Sequence, residues 1–338
     1  MNELLPWHIE PWRMLIERLR QGRMPHALLL CGPAGIGKDH FARVLVQGML
    51  CENPPPEGLP CGTCRGCLLN AAGSHPDSRI VGLLEDKKVI GVDQIRELRE
   101  YLGLKSHYAG YRTVIISPAE KMNTQAANSL LKTLEEPPAR SLLILVASNA
   151  GQLPATVRSR CQRITFSLPS PDTAQRWLSE QIGPHQDPAL LLTLAGGAPL
   201  ATLEMARNGK MDQRLALFED FEKLAHSQCS PVALAGAWLK FEPQETLYWV
   251  QGWLTDMIRL KSAPQPPVLI NPDVRQRLQN MAAMLDLTTL YQHLDRVTEA
   301  ARLATGQINA QLLMEDVLIA WQAHPSGKMQ EGKISRHG

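Results

Sequence analysis

Short apolar runs alternate with amphipathic stretches through the first half of the chain. ALLLC (27–31), TVIIS (113–117) and LLILVA (142–147) are brief, strongly apolar and bounded by polar or glycine positions, as strands covered on both faces are. Residues 79–84 form a weaker run of the same kind. Between the runs the apolar spacing becomes helical. Phe41, Val44, Leu45 and Met49 mark one stripe within 39–50, and Ile95, Leu98 and Leu102 another within 92–104. A third helix is expected over 124–135, stopped by Pro137-Pro138. The alternation predicts helices packed on a mostly parallel sheet.

The pattern changes near Pro169. SLPSPDT reads as a linker ending in a helix start, with Ser170 or Asp172 as the cap. Residues 172–208 hold short helical patterns broken at Gly183-Pro184 and at GGAP (196–199). Residues 212–323 read as longer amphipathic helices, interrupted by SAPQPPVLINP, and no convincing strand appears there. The seven tryptophans read as core or helix-packing residues; Trp249 and Trp253 stand four apart, so they share a helix face, which is also a candidate for a contact with another chain. The polar tail 326–338 reads as mobile.

Composition narrows the function. The chain has 338 residues, enough for two or three domains. Its 35 basic and 33 acidic side chains nearly cancel, which argues against a broad nucleic-acid-coating surface. Aromatics make up only 5% of residues, so a base-stacking platform is not evident. The start, MNELLPWHIEPW, lacks the basic-then-apolar order of a secretory leader. The apolar run Leu142–Ala147 is far short of a membrane span. A cytoplasmic protein without a membrane partner is expected.

One stretch carries phosphate chemistry. CGPAGIGKDH (31–40) places Gly32, Gly35, Gly37 and Lys38 between a strand and a helix, the context in which backbone N–H groups cradle phosphates and the lysine reaches them. The hydroxyl that should follow the lysine as a Mg²⁺ ligand is replaced by Asp39. The acidic pair that should end TVIIS is replaced by Pro118-Ala119, and Glu120 lies one or two residues beyond the expected place. A degenerate loop, with ATP binding weak or absent and little or no hydrolysis, is expected.

A second stretch carries metal chemistry. Cys51 is followed by CGTCRGC, placing Cys61, Cys64 and Cys67 at CxxC spacings. Four thiolates close a tetrahedral Zn²⁺ site with no open position, so the metal would be structural. Cys31 and Cys229 read as ordinary buried or isolated thiols. A zinc module that reads DNA directly is disfavoured, because Arg65 is the lone basic residue between Cys51 and Asn70.

NSLLKTLEEPP (128–138) followed by QLPATVRSRC (152–161) resembles the clamp-loader branch of the AAA+ family. The resemblance implies an AAA+-type domain over 1–168 with a zinc module inserted at 51–67. A small helical lid over 169–210 and an all-α collar over 211–325 follow. It implies a heteropentameric ring of clamp-loader subunits that opens a sliding clamp and loads it on primer-template DNA, within a DNA polymerase holoenzyme. Three features point to a non-hydrolysing member: Pro118-Ala119, a GGAPLA segment (196–201) without the lid arginine, and an intact Ser159-Arg160-Cys161. In active relatives that arginine reaches a neighbour's ATP, so Arg160 is the implied arginine finger acting in trans. The alternative is an active ATPase subunit. Lys132 and Glu135-Glu136 read as a solvated helix end.

Overall fold

The computed structural model describes residues 3–323 except 86, 109, 185, 264 and 305–307. The tail expectation at 326–338 lies outside the described residues. Compactness divides the chain into two units. One is Met1–Gln181 with Gly197–Thr202, the other Ile182–Gly196 with Leu203–Gly338.

The first unit carries, among the described residues, five strands: β1 (Ala27–Cys31), β2 (Ser78–Val81), β3 (Arg112–Ile116), β4 (Ser141–Ala147) and β5 (Gln162–Thr165). They form one sheet in the order β2-β3-β4-β1-β5. Every pairing is parallel, so each connection must cross over, and helices do the crossing. α1 (Ile9–Arg20) precedes β1; α2 (Lys38–Met49) and α3 (Arg65–Ala71) lie between β1 and β2, α4 (Val92–Gly103) between β2 and β3, α5 (Thr124–Glu135) between β3 and β4 and α6 (Ala155–Arg158) between β4 and β5; α7 (Pro171–Ser179) follows β5. Ser170 is the α7 cap, its Oγ accepting from Thr173 N at 3.3 Å.

Strand alternation splits the core into two layers. Leu28, Leu30, Ile115, Ile144 and Val146 face Trp12, Leu15 and Ile16 of α1 and Phe41 and Leu45 of α2. Leu29, Val114, Ile116, Leu143 and Leu145 face Ile95, Leu98 and Leu102 of α4 and Leu130 and Leu134 of α5. Because both faces are covered, β1, β3 and β4 read as continuous apolar runs. The 79–84 run is shorter than expected: β2 ends at Val81, and Leu83 and Leu84 are exposed. β5 and α1 were not foreseen. β5 is a sheet edge whose only buried residue is Ile164.

The second unit is helical: α8 (Pro188–Leu194), the later part of α9 (Pro199–Arg207), α10 (Lys210–Ala225), α11 (Pro231–Trp238), α12 (Pro243–Ser262), α13 (Arg275–Ala283), α14 (Leu287–Leu303) and α15 (Ala310–Gln322). Its core gathers Phe218, Phe221, Trp238, Trp253 and Trp321. The rings of Phe221 and Trp321 stack at 4.4 Å. Trp249 and Trp253 do share a face of α12, but both are buried in this core. The core reading of these tryptophans holds, and the expectation that they meet another chain is corrected: the α12 face they line is covered from within. A buried polar network ties the Pro-rich connection to the helices. Asp256 accepts from Ile270 N at 3.0 Å, Asn271 N at 2.6 Å and Asn271 Nδ2 at 2.9 Å. Arg214, fully buried, donates to Asn271 Oδ1 at 2.7 Å and to Asp273 at 2.8 and 3.1 Å. Among the described residues no single helix is long and apolar enough to cross a membrane.

Candidate functional site

The glycine loop leaves the carboxyl end of β1, which lies between β4 and β5. β1 connects away to β2 at the far edge, while β4 connects back past it to β5. Parallel sheets hold ligands at such a reversal, outside the strand ends. Gly35 and Gly37 have left-handed backbones (φ +73° and +86°) that the turn into α2 requires. Gly35 also has no room for a side chain, since a Cβ there would fall 2.5 Å from that of Ala201.

The loop is held from two sides. Trp7 Nε1 donates to Ile36 O at 2.8 Å, and His8 Nε2 meets the same carbonyl at 2.9 Å. Leu200 N donates to Gly35 O at 2.9 Å. Thus the GGAPLA segment, lacking an arginine, meets the loop through a backbone bond and apolar contacts. His8 is fully buried against Phe41 and Phe166. Burial is the main cause that lowers its pKa to about 4, with His40 adding to the shift and the Ile36 bond opposing it.

Lys38 points back over the loop. Its Nζ donates to Pro33 O at 2.6 Å and to Ser148 Oγ, just past β4, at 3.3 Å. Burial lowers its pKa, opposed by the charges of Asp39, Glu120 and Cys31. Asp39 itself is exposed on the first turn of α2. After β3 the chain turns through a cis Ser117–Pro118 bond into Ala119, which is buried. No carboxylate stands there. Glu120 instead turns toward the end of β4, where its Oε1 accepts from Ser148 N at 2.8 Å and Asn149 N at 3.3 Å. Its Oε2 is enclosed without a partner. Sequence reading placed Glu120 near the site but missed Ser148, which links it to Lys38.

Arg160 follows α6 and turns inward along the chain. Its Nη2 lies 2.7 Å from Glu135 Oε1, and its Nη1 donates to Thr156 O at 3.0 Å. Glu135 is thus an ion-pair partner as well as part of the solvated helix end. Cys31, read as an ordinary thiol, is buried at the end of β1 and accepts from Arg163 Nε at 3.0 Å.

The four clustered cysteines do converge. The Sγ atoms of Cys51, Cys61, Cys64 and Cys67 all lie within 4.8 Å of one another. Cys51–Cys64 and Cys61–Cys67 are separated by 3.8 and 3.9 Å. A tetrahedron with metal–sulfur arms of about 2.3 Å has edges of about 3.8 Å, so the spacing suits a tetrahedral metal. Backbone N–H groups already point at the sulfurs: Cys61 N at Cys51, Cys64 N at Cys61 and Cys67 N at Cys64, at 3.3–3.4 Å. Hydrogen bonds from Thr63 and Cys64 favour the Cys61 thiolate and lower its pKa to about 6, whereas burial pushes Cys67 up. Gly66 is required by the packing, because a Cβ there would lie 2.5 Å from Leu50 O.

These features define a P-loop α/β protein with a four-cysteine metal-type site and a helical C-terminal region. Residues 7–170 match the family described as DNA polymerase III, delta subunit, and residues 208–323 match its C-terminal counterpart. A Pseudomonas aeruginosa protein named DNA polymerase III subunit delta' is 33% identical over 96% of this chain and 99% of its own length. The Escherichia coli protein of that name is 33% identical over 93% of this chain and 94% of its own. The Bacillus subtilis protein is 29% identical over 95% and 97%. A solved Thermotoga maritima protein, described as gamma subunit-related, aligns with a TM-score of 0.46 and 16% identity, covering 94% of this chain and 99% of its own. The chain belongs to the delta-prime family of DNA polymerase III subunits.

Proposed function

We propose that the chain is a non-hydrolysing subunit of a clamp loader, which opens a sliding clamp and loads it on primer-template DNA within a cytoplasmic polymerase III holoenzyme. The observation that carries this reading is the contrast at the strand ends. The loop and Lys38 are well formed, yet β3 runs out into Ser117, Pro118 and Ala119. Mg²⁺-dependent hydrolysis needs a hydroxyl after the lysine and an acid at that strand end. Asp39 offers a carboxylate where the hydroxyl should stand, and Glu120 turns one oxygen to the backbone N–H groups of Ser148 and Asn149 instead of standing at the end of β3. The loop then serves as a scaffold with weak or no ATP binding.

In this reading the segment 169–210 acts as a lid, 211–325 as the collar that joins the other subunits in a five-membered ring, and Arg160 reaches a neighbouring subunit's ATP. A guanidinium placed there stabilises charge on the transferring phosphoryl group. The four cysteines hold a structural Zn²⁺, supported by the sulfur spacing and by a donor set that leaves no ligand position open.

Steady-state ATP hydrolysis tests the reading. The purified chain with Mg²⁺ is expected to show no turnover above background, and the assembled loader to turn over only when this subunit is present. Turnover by the isolated chain that disappears in Lys38→Ala would identify an active ATPase and overturn the proposal.

A further inference from the structure

Glu52 stands directly after the first cysteine of the metal module. The connection from there to Cys61 contains Pro54, Pro55, Pro56 and Pro60, positions without a backbone N–H. The other three sulfurs come from CGTCRGC, with Cys64 as the cap of α3 and Cys67 in its first turn. The chain leaving α2 at Cys51 must therefore be held against the start of α3 with few backbone donors from the connection itself.

Glu52 makes that join. Its Oε1 accepts from Gly66 N, the second residue of α3, at 3.1 Å. Cys64 Sγ accepts from Cys67 N, the third residue, at 3.4 Å. Two of the N–H groups that a helix leaves open in its first turn are thus satisfied, one from each side of the module. Burial opposes ionisation of the Cys64 thiol, but N–H bonds from the Cys67 and Glu52 backbones hold its pKa below the ordinary value. Residue 52 therefore meets α3 twice, at Cys64 and at the glycine between Cys64 and Cys67. Gly66 is buried, whereas Glu52 is exposed. Changing the Glu52 side chain removes this bond and little packing.

We propose that Glu52 is a positioning residue for the metal: its carboxylate fixes the Gly66 N–H, and with it the turn bearing Cys64 and Cys67, against the segment bearing Cys51. The inference rests on the reading of the four cysteines as a zinc site. Outer partners of metal ligands typically change metal affinity by roughly 10–100-fold. The accepted bond is what acts here, not the charge. Four thiolates around Zn²⁺ leave a net negative charge, which a neighbouring carboxylate repels. An amide oxygen in the same place accepts the same N–H without that repulsion.

The experiment uses the full chain loaded with zinc and follows transfer of the metal to a chromophoric chelator. Glu52→Ala is expected to release zinc about tenfold faster than the parent, or more. Glu52→Gln is expected to stay within about twofold of the parent, because its amide oxygen keeps the bond. Cobalt(II) loaded in place of zinc gives a readout that a general loss of stability would not move. At saturation its thiolate-to-cobalt and d–d bands change in Glu52→Ala and return to the parental form in Glu52→Gln. Parental release and parental bands in Glu52→Ala would overturn the proposal. So would release from Glu52→Gln as fast as from Glu52→Ala, since charge rather than the accepted bond would then be acting. A parent chain that holds neither zinc nor cobalt would overturn the metal reading itself, and this inference with it.

Discussion

Arg160 Nη2 and Glu135 Oε1 lie 2.7 Å apart, pairing the end of α5 with the turn after α6. Both side chains are substantially exposed, at 37% and 51%, and exposed pairs are worth about 0–1 kcal/mol. The contact therefore holds the guanidinium in place within the free subunit at little cost to releasing it. Glu135→Gln is expected to leave the melting temperature nearly unchanged and to preserve ATP turnover in the assembled loader. Arg160→Ala is also expected to fold normally, but to lower that turnover by an order of magnitude or more, within the scale of a lost arginine finger. Equal turnover in the parent and Arg160→Ala loaders would remove Arg160 from the phosphoryl-transfer role.

His8 gives the first unit a pH dependence. Its pKa drops from about 6.5 on unfolding to about 4 in the fold, chiefly through burial. Between those values the unfolded chain binds a proton that the folded chain refuses, so stability rises with pH across the window and falls as pH drops through it. At about 1.4 kcal/mol per pH unit, the loss approaches about 3 kcal/mol by pH 4. His8→Gln keeps a donor for Ile36 O and removes the titration. Urea denaturation between pH 4 and 6.5 should show a shallower slope for His8→Gln than for the parent. Identical slopes would mean that His8 does not set this dependence.

Asp256 organises the segment between α12 and α13 in the second unit. Its fully buried carboxylate accepts three N–H groups from Ile270 and Asn271, and Asn271 in turn accepts from Arg214. Asp256→Ala would strip those donors of their acceptor and leave Arg214 with Asp273 and Asn271 no longer fixed. Breaking such a buried network typically costs about 3–5 kcal/mol. Denaturation should report a loss of that size, with faster amide exchange at Ile270 and Asn271. A loss under about 1 kcal/mol would show that the segment is held by its apolar contacts instead.

The strands legible in the sequence are those buried on both faces. β5 escaped because three of its four residues, Gln162, Arg163 and Thr165, are exposed at the sheet edge. α1 did carry a signal, with Trp12, Leu15 and Ile16 on one face, but Pro11 in its first turn masked it. For Trp249 and Trp253 the periodicity correctly identified a shared face, yet periodicity says nothing about what covers that face. The same limit applies to the site. The glycine loop and the cysteine cluster were readable because their residues are close in sequence. The links from Glu120 through Ser148 to Lys38, and from Glu135 to Arg160, depend on which strands become neighbours. That information is distributed over the whole sheet.

The metal module offers the most direct chemical test. Its four sulfurs are already within tetrahedral reach, and three receive backbone N–H bonds that would remain once a metal binds. Cys64 is central to this arrangement: it caps α3 by accepting from Cys67 N and it contacts Cys51 at 3.8 Å. Cys64→Ser keeps a capping oxygen but removes a thiolate, so loss of metal is separated from loss of the cap. The purified parent should carry about one zinc per chain by elemental analysis, and Cys64→Ser far less. Losing the metal releases the link among the four thiolates of the 51–67 loop and leaves weaker ties such as Trp12 Nε1 to Glu57 O at 2.9 Å, so new protease cleavage should appear there while hydrolysis-independent assembly through the helical unit persists. A parent chain that contains no zinc and resists cleavage after chelation would show that the thiols pack together without a metal.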